Sequence, residues 1–222
     1  MKFKLILTSF LLTFYITSYS QDKVIHNEVV NPTKSAQARD YYNKGVDFSQ
    51  EKNYTEAIVY YEKAISEDPN YIDAYDNLGL AYRKTGKLNE AEKNYLKSYS
   101  LNDKNLNSIL NLAVVYGINK NYLKASEFYK KAITLKPQDP EGYYGNCQTL
   151  VNAGNQKEAL NYCLKTKELY EKQNSPYIGD ISYILAIAYY NLGEKINAKK
   201  YLNIAKQNNV KIDKNIENVI SK

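Results

Sequence analysis

Small and aromatic residues return every 34 positions along most of this chain. One column of small residues consists of Gly45, Gly79, Ala113 and Cys147. A second column consists of Ala57, Ala91, Ala125 and Ala159, and an aromatic column of Tyr61, Tyr95 and Tyr129. A 34-residue period with this order of residues predicts a repeated helix–turn–helix unit. Such units must stack on one another, because a single helical hairpin cannot bury both of its apolar faces.

The spacing inside one period is helical. Tyr41, Gly45 and Phe48 fall at i, i+4 and i+7, which places them on one face of a first helix. Ala57 and Tyr61 share a face of a second helix in the same way. We expect the small residues to let the two backbones approach closely while the aromatic rings fill the space beside the contact.

These columns resemble the motif of the tetratricopeptide repeat family. The second unit carries the motif at Tyr75, Leu78, Gly79, Tyr82, Ala91, Tyr95 and Ser98. The third carries it at Ile109, Leu112, Ala113, Tyr116, Ala125, Tyr129, Ala132 and Pro137. The resemblance implies an all-α, right-handed solenoid of about five helix–turn–helix repeats with a short C-terminal capping helix. We assign the solenoid to 36–222, with repeats at 38–71, 72–105, 106–139, 140–173 and 179–212, and the cap at 213–222.

The fourth unit departs from the motif. Asn146 stands where a leucine is expected, and Glu171 stands where a proline would end the second helix. We therefore expect that helix to run on to about Gln173. The fifth unit is displaced by a five-residue interruption and has Ser182 where an aromatic residue is expected.

The N-terminal sequence has the features of a targeting segment. Lys2 and Lys4 precede an apolar run, and small residues follow it at Ser18 and Ser20, which is typical of a secretory signal peptide. We expect residues 1–20 to be a signal peptide and 21–35 a flexible linker. The mature protein would then be exported, either periplasmic or secreted, with no stable membrane span. The alternative is an uncleaved N-terminal membrane anchor.

The composition argues against an enzyme. The formal net charge is +6, and removal of residues 1–20 would leave 28 basic residues against 24 acidic ones. These charges are spread out, without the dense basic stripe that binds nucleic acid. His26 is the only histidine, so a histidine-based metal site or catalytic triad lacks material. We expect no enzymatic activity, no cofactor and no metal site.

An amide recurs on the first helix of three units, at Asn43, Asn77 and Asn111. Stacked repeats would align these side chains on the inner surface, where each offers a hydrogen-bond donor and an acceptor. The arrangement is similar to the asparagine ladders of some tetratricopeptide proteins, which implies binding to the main chain of an extended peptide. The alternative is that these asparagines serve helix packing only. We expect all three side chains to face solvent in the free protein.

Apolar and aromatic residues flank this ladder in the predicted groove. Those assigned to peptide binding are Leu80, Val114, Tyr144, Tyr183, Ile187 and Tyr190, with Arg83 adding positive charge at one edge. The lysine and arginine that would clamp a C-terminal carboxylate are missing beside the asparagines. We therefore expect a protein-binding scaffold or assembly factor of the cell envelope. Two alternatives are a self-associating structural oligomer and a glycan- or peptidoglycan-binding module.

The two cysteines occupy facing positions of the fourth unit. Cys147 lies on its first helix and Cys163 on its second. An exported protein meets an oxidising compartment, and close helix packing brings the backbones within bridging distance. This predicts a disulfide, the alternative being two buried thiols that act as small apolar residues.

Overall fold

The computed structural model describes residues 33–221, and these residues form helices joined by short turns, with no strand among them. The predicted signal peptide and most of the predicted linker lie outside the described residues. Residues 33–119 contain α1 (Ala36–Gln50), α2 (Tyr54–Glu67), α3 (Ile72–Lys84), α4 (Leu88–Leu101) and α5 (Leu106–Ile118). Residues 120–221 contain α6 (Tyr122–Leu135), α7 (Pro140–Asn152), α8 (Gln156–Lys172), α9 (Ile178–Asn191), α10 (Lys195–Gln207) and α11 (Lys214–Ser221).

The turns inside the hairpins use one backbone conformation. The residues with left-handed φ, between 59° and 82°, are Lys52, Gly86, Lys120, Gly154 and Gly193. These residues lie at equivalent positions of successive repeats. Glycine suits this conformation because it has no Cβ to clash with the backbone. Lysine adopts it at two of the five turns, so the turn is imposed by the repeat rather than by glycine alone.

Residues 33–119 form one compact unit. Within it α1 packs on α2, α2 on α3, α3 on α4 and α4 on α5. The periodic small residues sit where the helices approach most closely. A Cβ added to Gly45 would lie 2.6 Å from the Tyr61 ring, and one added to Gly79 would lie 2.7 Å from the Tyr95 ring. The pairing of small and aromatic columns predicted from the sequence is therefore the packing rule of these hairpins.

Residues 120–221 lie in a second compact unit. Here α6 packs on α7, α7 on α8, α8 on α9 and α9 on α10. Cys147 of α7 and Cys163 of α8, the predicted pair, are joined by a disulfide with their Cα atoms 4.9 Å apart. The second helix of the fourth repeat runs to Lys172, close to the predicted end.

The C-terminal helix α11 covers the end of this unit. Ile216 and Ile220 are each 1% exposed, and α11 packs against both α9 and α10. An ion pair 2.5 Å long joins Lys206 of α10 to Glu217 of α11. The all-α repeat fold with a short capping helix is confirmed.

Candidate peptide-binding surface

The three periodic asparagines differ in exposure. Asn43 of α1 is exposed, Asn111 of α5 is half-buried, and Asn77 of α3 is only 2% exposed. Nδ2 of Asn77 donates a hydrogen bond of 3.0 Å to Oη of Tyr42. Oδ1 of Asn111 is buried and has no hydrogen-bond partner in the part of the chain that the structure describes.

The expectation that all three asparagines face solvent is wrong for Asn77, and it holds only in part for Asn111, whose Oδ1 is buried. The helical register placed it on the same face as Asn43 and Asn111, but register alone does not show what reaches that face from a neighbouring repeat. Tyr42 of the preceding repeat does so, and its hydroxyl binds the amide. Asn77 therefore holds two repeats together, and its Nδ2 already has a protein acceptor.

The apolar residues assigned to the groove are mostly buried. Leu80 and Val114, in the region 33–119, are 4% and 1% exposed. In the region 120–221, Tyr144, Tyr183 and Ile187 each keep less than a tenth of their surface, whereas Tyr190 is half-buried. The Tyr144 ring packs against Tyr170, with ring centroids 6.3 Å apart. These residues belong to the packed interior of their regions, and their role in binding stays a prediction.

Arg83, which was predicted to add positive charge at one edge of the groove, is largely buried. Its side chain is buried, at 9% relative exposure, near the C-terminal end of α3. A guanidinium that is largely withdrawn from solvent offers less surface charge to a ligand than the sequence suggested.

A buried polar cluster beside the asparagines was missed by sequence reasoning. Asp76 of α3 is 2% exposed. Nδ2 of Asn105 lies 2.7 Å from Oδ2 of Asp76 and 2.9 Å from Oγ of Ser98, so one amide joins α3 to α4 across the turn that precedes α5. The sequence did contain a signal, because Asp76 interrupts a column that otherwise reads Tyr42, Leu110 and Tyr144.

The environment of Asp76 favours its neutral form. Burial raises the pKa of the Asp76 carboxyl to about 7, against an ordinary value of 3.8, and the nearby Asp73 adds to the rise. Hydrogen bonds from Ser98 and Asn105 act in the opposite direction but do not offset burial. The carboxyl therefore titrates closer to neutral pH than an exposed aspartate does.

Tyrosine hydroxyls complete the polar contacts of the first repeat. Oη of Tyr61 and Oγ of Ser49 are 3.1 Å apart inside the α1–α2 hairpin. Burial raises the pKa of both Tyr42 and Tyr61 well above the ordinary value. Both hydroxyls therefore stay protonated and act as hydrogen-bonding groups that fix the packing.

Residues 33–221 contain neither a metal-binding cluster nor a membrane-spanning helix. No cluster of three or more histidine, cysteine or acidic side chains there could hold a metal ion. No helix within the same residues is both long and apolar enough to cross a membrane.

Comparison with family models gives three matches, all described as tetratricopeptide repeat. They cover residues 38–71, 60–93 and 106–139. The first and third coincide with the repeat boundaries predicted from the 34-residue period.

Curated relatives match the chain over part of their own length. Protein O-mannosyl-transferase TMTC3 of Homo sapiens is 29% identical over 190 residues, which is 78% of this chain and 20% of that protein. Hsp70-Hsp90 organizing protein 3 of Arabidopsis thaliana is 29% identical over 148 residues, which is 66% of this chain and 25% of that protein. The chain thus spans a quarter or less of these relatives.

Among solved structures, a crystal structure of MamA protein superposes with a TM-score of 0.69 at 21% identity. The match covers 78% of this chain and 91% of that one. At this identity the similarity shows a shared fold, and it extends over nearly the whole of the solved protein.

Proposed function

This chain belongs to the tetratricopeptide repeat family, and we propose that it is a non-enzymatic scaffold that binds an extended peptide segment of a partner protein. The binding surface would be the inner faces of the first helices in the repeats. Asn43 and Asn111 would bind the peptide main chain, while Asn77 keeps the repeats in register through Tyr42. The similarity to a protein named for organizing Hsp70 and Hsp90 supports a role in bringing other proteins together.

The observation that carries this proposal is the unpartnered amide oxygen of Asn111. A buried acceptor without a hydrogen bond costs about 1–3 kcal/mol, so the half-buried Asn111 side chain would gain by turning this oxygen outward to a donor at the surface. A peptide N–H is such a donor. Asn43 is exposed, so its side chain can supply both a donor and an acceptor to the same main chain.

We also propose that the scaffold acts outside the cytoplasm, in the cell envelope. The proposal rests on the basic start, apolar run and small residues of positions 1–20. The Cys147–Cys163 disulfide agrees with it, because structural disulfides persist chiefly in oxidising compartments. N-terminal sequencing of the mature protein should return Gln21 as the first residue, and retention of Met1 would support the anchored alternative.

The test of peptide binding is photo-crosslinking from two positions. A photoreactive phenylalanine analogue replaces Asn43 on α1 or, as a matched control, the exposed Thr55 on α2. In an extract of the native envelope, the proposal predicts a discrete cross-linked partner from position 43 and little or none from position 55.

Other patterns of cross-linking would contradict the proposal. A partner captured only from position 55 would move the binding surface to the second helices. Cross-links to another copy of this chain would support the self-associating oligomer. Cross-links to glycan fragments would support the glycan-binding module.

A further inference from the structure

One column of the repeat changes size in the fourth unit. At the end of each first helix the column reads Phe48, Tyr82, Tyr116, Leu150 and Tyr189, with the last step lengthened by the interruption before the fifth repeat. Leu150 is the only member without an aromatic ring. The contacts of the aromatic members can be compared with the surroundings of Leu150.

In other repeats the ring packs beside a second helix. Oη of Tyr82 donates a hydrogen bond of 2.6 Å to Oε1 of Glu62 on α2, the second helix of the preceding repeat. The Phe48 ring stacks on Tyr60 with centroids 5.3 Å apart. The aromatic member of this column therefore covers the surface beside the second helices.

At Leu150 the corresponding space is open. A cleft of about 510 Å³ lies between the start of α6, the end of α7 and the start of α8, and Leu150 is part of its wall. The small side chain of Ser126 also lines the cleft and leaves it wider. The corresponding positions of the other repeats carry larger residues, namely Ile58, Glu92, Leu160 and Lys199. The volume lies within the range of pockets that bind ligands, roughly 300–1,000 Å³.

The cleft also contains a polar group that lacks a partner. Ser126 is 8% exposed, and its Oγ makes no hydrogen bond within residues 33–221. Buried hydroxyls in native proteins are nearly always paired, and this one lies beneath the cleft surface, where a rotation of the Ser126 side chain would bring it to a ligand group. Leu123, at 86% exposure, adds apolar surface to the lining.

One charged residue of the cleft can be compared directly with its counterpart in the first repeat. Lys130 occupies the repeat position of Glu62, the residue that accepts the Tyr82 hydroxyl. Its Nζ lies 3.1 Å from Oε1 of Glu158, and both side chains are about half exposed. This ion pair lines the opening. Leu150 of α7 is 4% exposed and forms part of the wall behind this ion pair.

We propose that this cleft binds an aromatic side chain, tyrosine or phenylalanine, presented by a partner polypeptide. The bound ring would take the place of the aromatic residue that the fourth repeat lacks. It would pack mainly against the exposed side chain of Leu123, above Leu150 and Ser126, which are 4% and 8% exposed. The site uses residues of the region 120–221 only, and none of them was assigned to the asparagine surface.

The test is a titration of the full mature chain with N-acetyltyrosinamide, followed by amide NMR. We expect saturable shifts at Leu123, Ser126 and Leu150, with a dissociation constant on the order of 1 mM for so small a ligand. N-acetylleucinamide should bind at least about fivefold more weakly, since it lacks the ring. Equal binding of the two compounds, or no saturable shift at these residues, overturns the proposal.

Filling the cleft should abolish binding. Leu150→Tyr restores the aromatic column, and Ser126→Ile restores a side chain found in the first repeat. Each should weaken the tyrosine derivative at least tenfold while the far-ultraviolet circular dichroism is retained. Leu96→Tyr, at a 40% exposed site on α4, is the matched control and should bind as the wild type does. Unchanged binding by both cleft-filling variants places the ligand elsewhere and rejects the site.

Discussion

Residues 33–119 and 120–221 are built from the same hairpin but treat their buried polar groups differently. In the first region Asp76 is joined to Asn105, Asn77 to Tyr42, and Tyr61 to Ser49 by hydrogen bonds. In the second region the buried amide atoms without a partner among residues 33–221 are both of Asn146, Nε2 of Gln148, Oε1 of Gln156 and Nδ2 of Asn191. The second region has a disulfide instead. In the first region only Oδ1 of Asn111 is a buried amide atom without a partner among residues 33–221, so the first region pairs its buried amides more fully, whereas the second is cross-linked within one hairpin.

The two regions also differ in charge. Positions 33–119 contain eleven lysines and arginines against twelve acidic residues, whereas positions 120–222 contain sixteen lysines against ten acidic residues. The positive charge of the protein is therefore concentrated in the second region. Electrostatic attraction of an acidic partner, and its weakening by salt, should arise mainly there.

The largest expected effect comes from removing the disulfide. The double substitution Cys147→Ser and Cys163→Ser should lower the free energy of unfolding by about 2–5 kcal/mol, because the cross-link closes a loop between residues 16 apart. Urea denaturation measures the total change. Hydrogen exchange should show faster opening in α7 and α8, with little change in α1 to α3. An unchanged denaturation midpoint would show that the disulfide does not stabilise the second region.

The next effect concerns the pH dependence of the first region. The pKa of Asp76 is raised in the folded state, so its contribution to stability is full below its unfolded pKa near 4, falls between about pH 4 and 7, and is constant above that. Asp76→Asn should remove this dependence. Relative to wild type it should gain on the order of 2–4 kcal/mol between pH 4 and pH 8, at about 1.4 kcal/mol per pKa unit.

The control for this measurement is Asp103→Asn, at an exposed position after α4. Thermal unfolding of the three proteins across the pH range compares them directly. If Asp76→Asn keeps the same pH profile as wild type, the carboxyl is not the titrating group.

A smaller effect should distinguish two buried asparagines, Asn146 of the second region and Asn77 of the first. Asn146→Leu restores the leucine of the repeat at a fully buried position where both amide atoms lack a partner, and it should stabilise the protein by about 1–3 kcal/mol. Asn77→Leu should instead destabilise it by about 0.5–1.5 kcal/mol, because the hydrogen bond to Tyr42 is lost. Shifts of the same sign would show that the two regions do not differ in this way.

The sequence predicted the repeats and the cysteine pair because both follow from the period. Gly45 and Gly79 pack against the tyrosine rings of their own hairpins, so contacts within a repeat can be read from one period. Asn77 was placed wrongly because its partner, Tyr42, lies in the preceding repeat. Asp76 and Leu150 were overlooked although each breaks a column, since a departure from the pattern shows a change in environment without showing what fills it.

The central claim is that Asn43 and Asn111 bind a peptide main chain while Asn77 serves the fold. Calorimetric titration of the partner segment captured from position 43 tests it directly. Asn43→Ala with Asn111→Ala should weaken binding about five- to 150-fold, as expected for the loss of two hydrogen bonds of roughly 0.5–1.5 kcal/mol each, with an unchanged melting temperature. Equal affinity of the double variant and the wild-type protein would contradict the account.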